Sequence, residues 1–109
     1  EDDVIIEGNV MIGDGTIIKK GCKIIGPVII GKNCLIDNNV FVGSNTSIGN
    51  NTKLLQCNIK NSIIMNDCEI NCNVEIKNSI IAPNSKISRD EMNQNEKIFL
   101  LGEGTKIVL

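Results

Sequence analysis

The chain has 109 residues, 41% hydrophobic and 22% charged, with a formal net charge of −2, which bounds it to one globular domain. Two Phe are its only aromatic residues, so a ring-built core is excluded and there is little with which to stack on nucleic-acid bases, and its acidity removes the basic footprint of phosphate-backbone binding. It contains no His, which excludes imidazole zinc sites, Ser–His and Cys–His nucleophile pairs and any His general base.

The chain opens on Glu1-Asp2-Asp3 with neither an initial Met nor a signal-peptide pattern, which predicts a fragment or processed product. From there aliphatic residues recur at every sixth position: Ile6, Ile12, Ile18, Ile24, Ile30, Ile36, Val42, Ile48 and Leu54. Two residues before each of these key positions stands Val4, Val10, Thr16, Cys22, Val28, Cys34, Val40, Thr46 or Thr52. Strand alternation turns both members of each pair to the same inner side. Three residues after the first eight keys come Asn9, Gly15, Gly21, Pro27, Asn33, Asn39, Asn45 and Asn51. Gly and Asn tolerate a left-handed backbone, so seven of these predict tight corners, and Pro27 predicts a corner of another shape. Three strands and three corners close a triangular coil of about eighteen residues, and coils stack through parallel strands about 4.8 Å apart. The expected fold is therefore all-β, a parallel β-helix solenoid.

Past Leu54 the keys continue as Ile59, Ile64, Ile70, Ile76, Ile81 and Ile87, preceded by Cys57, Ser62, Cys68, Val74, Ser79 and Ser85. Three of these steps are five residues long, so each of them must take its missing residue from a corner. The fifteen keys predict about five coils over residues 1–88, with no helix. Residues 89–97 break the pattern and read as a polar loop or a single helical turn. Residues 98–109 return to strand grammar, with Leu101 and Ile107 six apart, and are expected to cap the solenoid or add a strand beside its last coils.

No chemistry-bearing constellation emerges. Cys22, Cys34, Cys57 and Cys68 fall in the inner small position, where a thiol serves as a compact apolar filler. Cys72, between Asn71 and Asn73, is expected in a more exposed corner and is the best candidate for a reactive thiol, although nothing beside it lowers its pKa. An odd count of five Cys without zinc-finger or disulfide-scaffold spacing predicts a reduced, cytoplasmic setting. Acidic residues are scattered, and Gly13-Asp14-Gly15 and Gly102-Glu103-Gly104 lack the helix and Lys-Ser/Thr tail of a phosphate loop. Catalytic, cofactor and metal residues are thus all expected to be absent, and no run of about 18 apolar residues predicts a membrane span.

One surface does stand out. Every third key lies on the same side of the triangle, and around Ile12, Ile30, Ile48, Ile64 and Ile81 the outward residues are Met11, Ile29, Ser47, Ile63 and Ile80 before the key and Gly13, Gly31, Gly49, Met65 and Ala82 after it. None is charged, whereas the other two sides carry Lys23, Lys60, Glu75 and Lys77, and Lys19, Asp37, Lys53, Glu69 and Lys86. A contiguous apolar strip marks a contact surface. The expected interface residues are Met11, Ile29, Ile63, Met65, Ile80 and Ala82, met by another subunit, by another domain or by the chain's own 98–109 tail.

The repeats resemble the left-handed parallel β-helix family, which supplies the handedness. Gly26-Pro-Val-Ile-Ile-Gly-Lys-Asn-Cys34, Thr46-Ser-Ile-Gly-Asn50 and Ile59-Lys-Asn-Ser-Ile-Ile-Met65 resemble the C-terminal domain of sugar-phosphate nucleotidyltransferases. Asn78-Ser-Ile-Ile-Ala82 and the closing Phe99-Leu-Leu-Gly-Glu-Gly-Thr-Lys-Ile-Val-Leu109 are similar to long-form glucose-1-phosphate thymidylyltransferases. The resemblance implies a C-terminal assembly and docking domain whose parent converts glucose 1-phosphate and dTTP to dTDP-glucose and pyrophosphate. It implies that catalysis, a Gly-x-Gly-Thr-Arg loop and the carboxylates for magnesium belong to an N-terminal domain. The expected partners are further copies of the chain, that catalytic domain, or both, with neither nucleic acid nor membrane. Two alternatives share the fold: a hexapeptide-repeat acyltransferase domain, disfavoured by the lack of His and of an inserted loop, and a non-catalytic nucleotidyltransferase-like subunit of a translation initiation factor. Carbonic anhydrases of this fold need three His and are excluded.

Overall fold

The computed structural model describes residues 3–88 and 106–108, leaving aside the side chains of Cys72, Val74 and 106–108. Its strands are β1 (Ile5–Glu7), β2 (Val10–Ile12), β3 (Ile17–Ile18), β4 (Lys23–Ile25), β5 (Val28–Ile30), β6 (Leu35–Ile36), β7 (Phe41–Val42), β8 (Thr46–Ile48), β9 (Lys53–Lys60), β10 (Ile63–Ile64), β11 (Glu69–Lys77), β12 (Ile80–Ile81), β13 (Lys86–Ser88) and β14 (Lys106–Val108). All pairings between them are parallel, and among the described residues there is no helix. The result is a parallel β-helix of about five coils.

The register follows the sixfold pattern. One side stacks β2, β5, β8, β10 and β12 as a separate five-stranded sheet, with Ile12, Ile30, Ile48, Ile64 and Ile81 in one column. A second side stacks Ile6, Ile24, Val42, Ile59 and Ile76. The third stacks Ile18, Ile36, Leu54, Ile70 and Ile87, and β14 adds Ile107 beneath Ile87. Strands β9 and β11 each run round a corner and so belong to two sides. Across that corner β9 has only Gln56 where β11 has Cys72 and Asn73, and the register shifts there. Cys72 therefore stands at the expected turn between sides, within a continuous strand.

Twelve keys, from Ile24 to Ile87, are essentially inaccessible and form the core. The first coil differs: Ile6 is 48% and Ile12 37% exposed, and Ile18 is only partly buried. The sixfold pattern predicts one interior shared by every key, but a coil is closed only when neighbours cover it on both sides, and among the described residues coil one is paired on one side. A hollow of about 340 Å³ at this end is lined by Val4, Ile6, Ile12, Thr16, Ile17 and Ile18.

The corners are left-handed at Gly15, Gly21, Asn33, Asn39, Asn45 and Asn51, as the sequence suggests, and again at Gln56, Asn61, Asp67, Asn78 and Asn84. Asn9 is a correction, because the left-handed residue in that corner is Gly8, at φ 80°. The next coil presents Gly26-Pro27 at the same corner, joined by a cis peptide bond. Proline's ring holds φ negative, so that corner cannot use the common turn. Coil one stacks closely on it, with Gly26 N donating to Glu7 O at 2.7 Å. A Cβ on Gly8 would lie 3.3 Å from Gly26 N.

Candidate interaction face

The inner small positions do more than fill space. Along the corner that leaves the five-stranded sheet, the inner residues Thr16, Cys34, Thr52 and Cys68 each reach a main-chain carbonyl of the next coil. Thr16 Oγ1 donates to Gly31 O at 2.6 Å, Cys34 Sγ to Gly49 O at 3.0 Å, Thr52 Oγ1 to Met65 O at 3.1 Å and Cys68 Sγ to Ala82 O at 3.1 Å. Ser85, in the last coil of the column, instead donates to Ala82 O at 2.7 Å. The same hydroxyls accept from the following coil: Cys34 N donates to Thr16 Oγ1, and Cys68 N to Thr52 Oγ1. A buried carbonyl without a donor is costly, and this column supplies the donors.

The cysteines are thus buried as expected, but at least three of them also donate hydrogen bonds: Cys22 reaches Asp37 O at 2.9 Å. Cys22, Cys34 and Cys68 are free thiols. Burial, the dominant influence, pushes the Cys22 and Cys68 thiols above their ordinary value. Such thiols are poor nucleophiles and poor metal ligands. Among the described residues no group of three His, Cys, Asp or Glu could hold a metal ion. No helix among them is long and apolar enough to cross a membrane.

Outside the walls, the three sides diverge in charge. On the side of Ile18 to Ile87, Lys19 pairs with Asp37 at 3.7 Å, and the register sets Glu69 between Lys53 and Lys86. On the side of Ile6 to Ile76, Lys60 meets Glu75 at 3.8 Å. The five-stranded sheet carries no charge on its outward columns. Met11, Ile29, Ser47, Ile63 and Ile80 lie in one register column, with Met11 68% and Ile29 54% exposed. Met65 is exposed as well, and Ala82 is half-buried. Four of the six expected interface residues, Met11, Ile29, Ile63 and Ile80, therefore lie in strands of this one sheet, and Met65 and Ala82 directly follow β10 and β12. The described part of the tail does not cover it, since β14 extends the side of β13; Leu101 and the rest of 89–105 lie outside the described residues.

Two features of this face escape a reading in sixes. Its entry edge is a row of amides, and hollows of about 360 Å³ each lie between that row and the apolar column. One is lined by Asn9, Met11, Pro27, Ile29, Asn45 and Ser47 among others, the next by Asn45, Asn61, Ile63, Asn78 and Ile80 with Ser62 and Ser79. Asn61 Nδ2 donates to Asn78 Oδ1, tying successive coils at this edge. At the exit edge, Gly13, Gly31 and Gly49 form a slot with no room for a side chain: a Cβ on Gly13 would stand 2.7 Å from the Gly31 carbonyl group. A period-eighteen reading of the Gly positions would have found the slot.

A face of paired main chain, exposed aliphatics and uncharged edges has the chemistry of a packing surface. Comparison with the curated proteins finds no match. A family model, described as the GMPPB C-terminal domain, matches residues 24–108. That span runs from the first fully buried key to the last described strand, and the chain belongs to this family, a C-terminal domain type of sugar nucleotidyltransferases.

Proposed function

We propose that this domain is the assembly and docking module of a sugar-1-phosphate nucleotidyltransferase and contributes no catalytic group of its own. The observation that supports this most is the uncharged apolar sheet on a fold whose other two sides are charged. The parent reaction we assign is transfer of a nucleotidyl group from dTTP to glucose 1-phosphate, with release of pyrophosphate, following the likeness of Asn78–Ala82 and the closing segment. Following the same likeness we assign magnesium for that reaction to another domain of the parent. The odd number of cysteines without disulfide-scaffold spacing leads us to assign the setting to the cytoplasm.

The test has two parts. The 109-residue chain, given a panel of nucleoside triphosphates and hexose 1-phosphates, is expected to release no pyrophosphate; release would overturn the non-catalytic reading. The parent enzyme carrying Ile29→Asp and Ile80→Asp is expected to change its assembled size. An unchanged size with an intact fold would overturn the docking reading. A parent that prefers a pair other than dTTP and glucose 1-phosphate would overturn only the substrate assignment.

A further inference from the structure

Resting on the reading of the apolar sheet as a contact surface, we infer that its occupant is a second copy of this chain, packed sheet against sheet about a two-fold axis that runs along the strand direction through the central strand, so that the two solenoids point in opposite directions. Charge supplies the first reason. The outward columns hold no charged group to attract a charged partner, and burying an unpaired charge against them would be costly. The fitting partner is another uncharged apolar face, and among the described residues this sheet is the only side of that kind.

Shape gives the second reason and sets the orientation. A two-fold axis along the strands sets each rung against the partner's rung counted from the other end, keeping like columns opposed. Ile29 then meets the partner's Ile63, and Met11 meets the partner's Ile80. Ser47, in the central strand, meets the partner's Ser47. In the other column the partner's Met65 stands over Gly31, which has no side chain of its own and is packed by Asn50 Oδ1 of the next coil. The bulky fourth rung, with both Ile63 and Met65, thus falls on the slim second rung. The hollow lined by Met11, Ile29 and Ser47 receives the partner's Ile63 and Ile80. An axis along the solenoid would instead stack the two fourth rungs on each other and wedge the sheets apart there.

Size gives the third reason. The molecule is 24 × 22 Å across its two shorter extents, and five rungs rise about 24 Å. A side of the prism therefore offers roughly 500 Å² per copy and about 1,000 Å² in total, the lower bound for a specific interface. The pair is expected to be reversible, with dissociation in the micromolar range.

Sedimentation of the 109-residue chain at about 100 μM is expected to show a dimer that dissociates on dilution. Ile29→Lys and Ile63→Asp, each with an unchanged circular dichroism spectrum, are each expected to be monomeric, with dissociation weakened at least about a hundredfold. Mixed one to one, the two variants are expected to recover the dimer, because the new Lys and Asp face each other only in the antiparallel pair. A variant that merely failed to fold could not be rescued this way. A monomeric wild type would overturn the self-pairing and assign the face to another part of the parent, leaving the docking reading to its own test. Dimers insensitive to either substitution, or a mixture that stays monomeric, would overturn the proposed arrangement.

Discussion

Thr52 allows the inner hydroxyl column to be weighed against simple packing. Its side chain is wholly inaccessible. Its Oγ1 donates to Met65 O at 3.1 Å and accepts from Cys68 N at 3.4 Å. The same hydroxyl also lies 3.3 Å from Asn50 O, a second acceptor for its one proton, and Thr52→Val keeps the shape while removing all three contacts. The Cys68 bond is long and adds little, so the cost comes mainly from the part-buried Met65 carbonyl losing its donor and from the lost buried hydroxyl contacts, about 1–3 kcal/mol. Thr52→Ser keeps the hydroxyl and loses one buried methyl group, costing about 1 kcal/mol. For a domain of this size each kcal/mol moves the melting temperature by roughly 4–8 °C. The valine variant should therefore melt on the order of 10 °C below wild type and the serine variant about half as far below, measured by circular dichroism with urea midpoints as a check. If the inner position were only an apolar filler, valine would be neutral or stabilising and serine the worse of the two. That order of stabilities would refute the hydrogen-bonding role.

Ile24→Ala, at a wholly buried key, should cost about 2–5 kcal/mol, whereas Ile6→Ala, at a half-exposed key of the same register column, should cost less than about 1 kcal/mol, both read from urea midpoints. Gly13→Ala should destabilise by about 1–3 kcal/mol, since its new Cβ would stand 2.7 Å from the Gly31 main chain and force the coils apart. Cys22 and Cys68 hold their protons more tightly when folded than unfolded. Their contribution is fully present below the ordinary thiol range and is lost as pH rises through the raised folded values. Melting temperature should thus fall above about pH 8.5, and replacing both residues by Ser should flatten that fall.

The sixfold spacing made the interior legible because one geometric rule governs every coil: a residue two before a key shares its side of the strand. Ile24, Val42 and Ile59 could be placed in one column despite the five-residue step before Ile59, since Gln56 takes up the shortening in a left-handed corner. The same rule misjudged Ile6, Ile12 and Ile18, because periodicity says which way a side chain points but not whether another coil lies above it. It also missed the donors. Thr16, Cys34, Thr52 and Cys68 look like arbitrary small residues until the stacking brings each beside a carbonyl of the following coil, thirteen to fifteen positions away. The apolar sheet was legible because it repeats every third key, whereas the glycine slot beside it depends on how closely neighbouring corners approach.

The two apolar surfaces of this molecule call for different kinds of cover. On the five-stranded sheet the main chain is already paired within the molecule, from β2 through β12, so another surface can add only side-chain packing. At the first coil, Ile5 N, Gly13 N, Ile17 N and Lys19 N are spent on carbonyls of the second coil. Alternation along a parallel strand then turns the main-chain groups of Ile6, Ile12 and Ile18 the other way, away from the second coil. The first-coil end can be satisfied only by groups that donate and accept hydrogen bonds as a strand edge does, together with an apolar cap for the hollow beneath. A flat apolar face provides no such groups, so a two-fold pair formed through the sheet makes no use of that end. The two surfaces can therefore be occupied at once, the sheet by side-chain packing and the end by continued strand pairing along the solenoid axis.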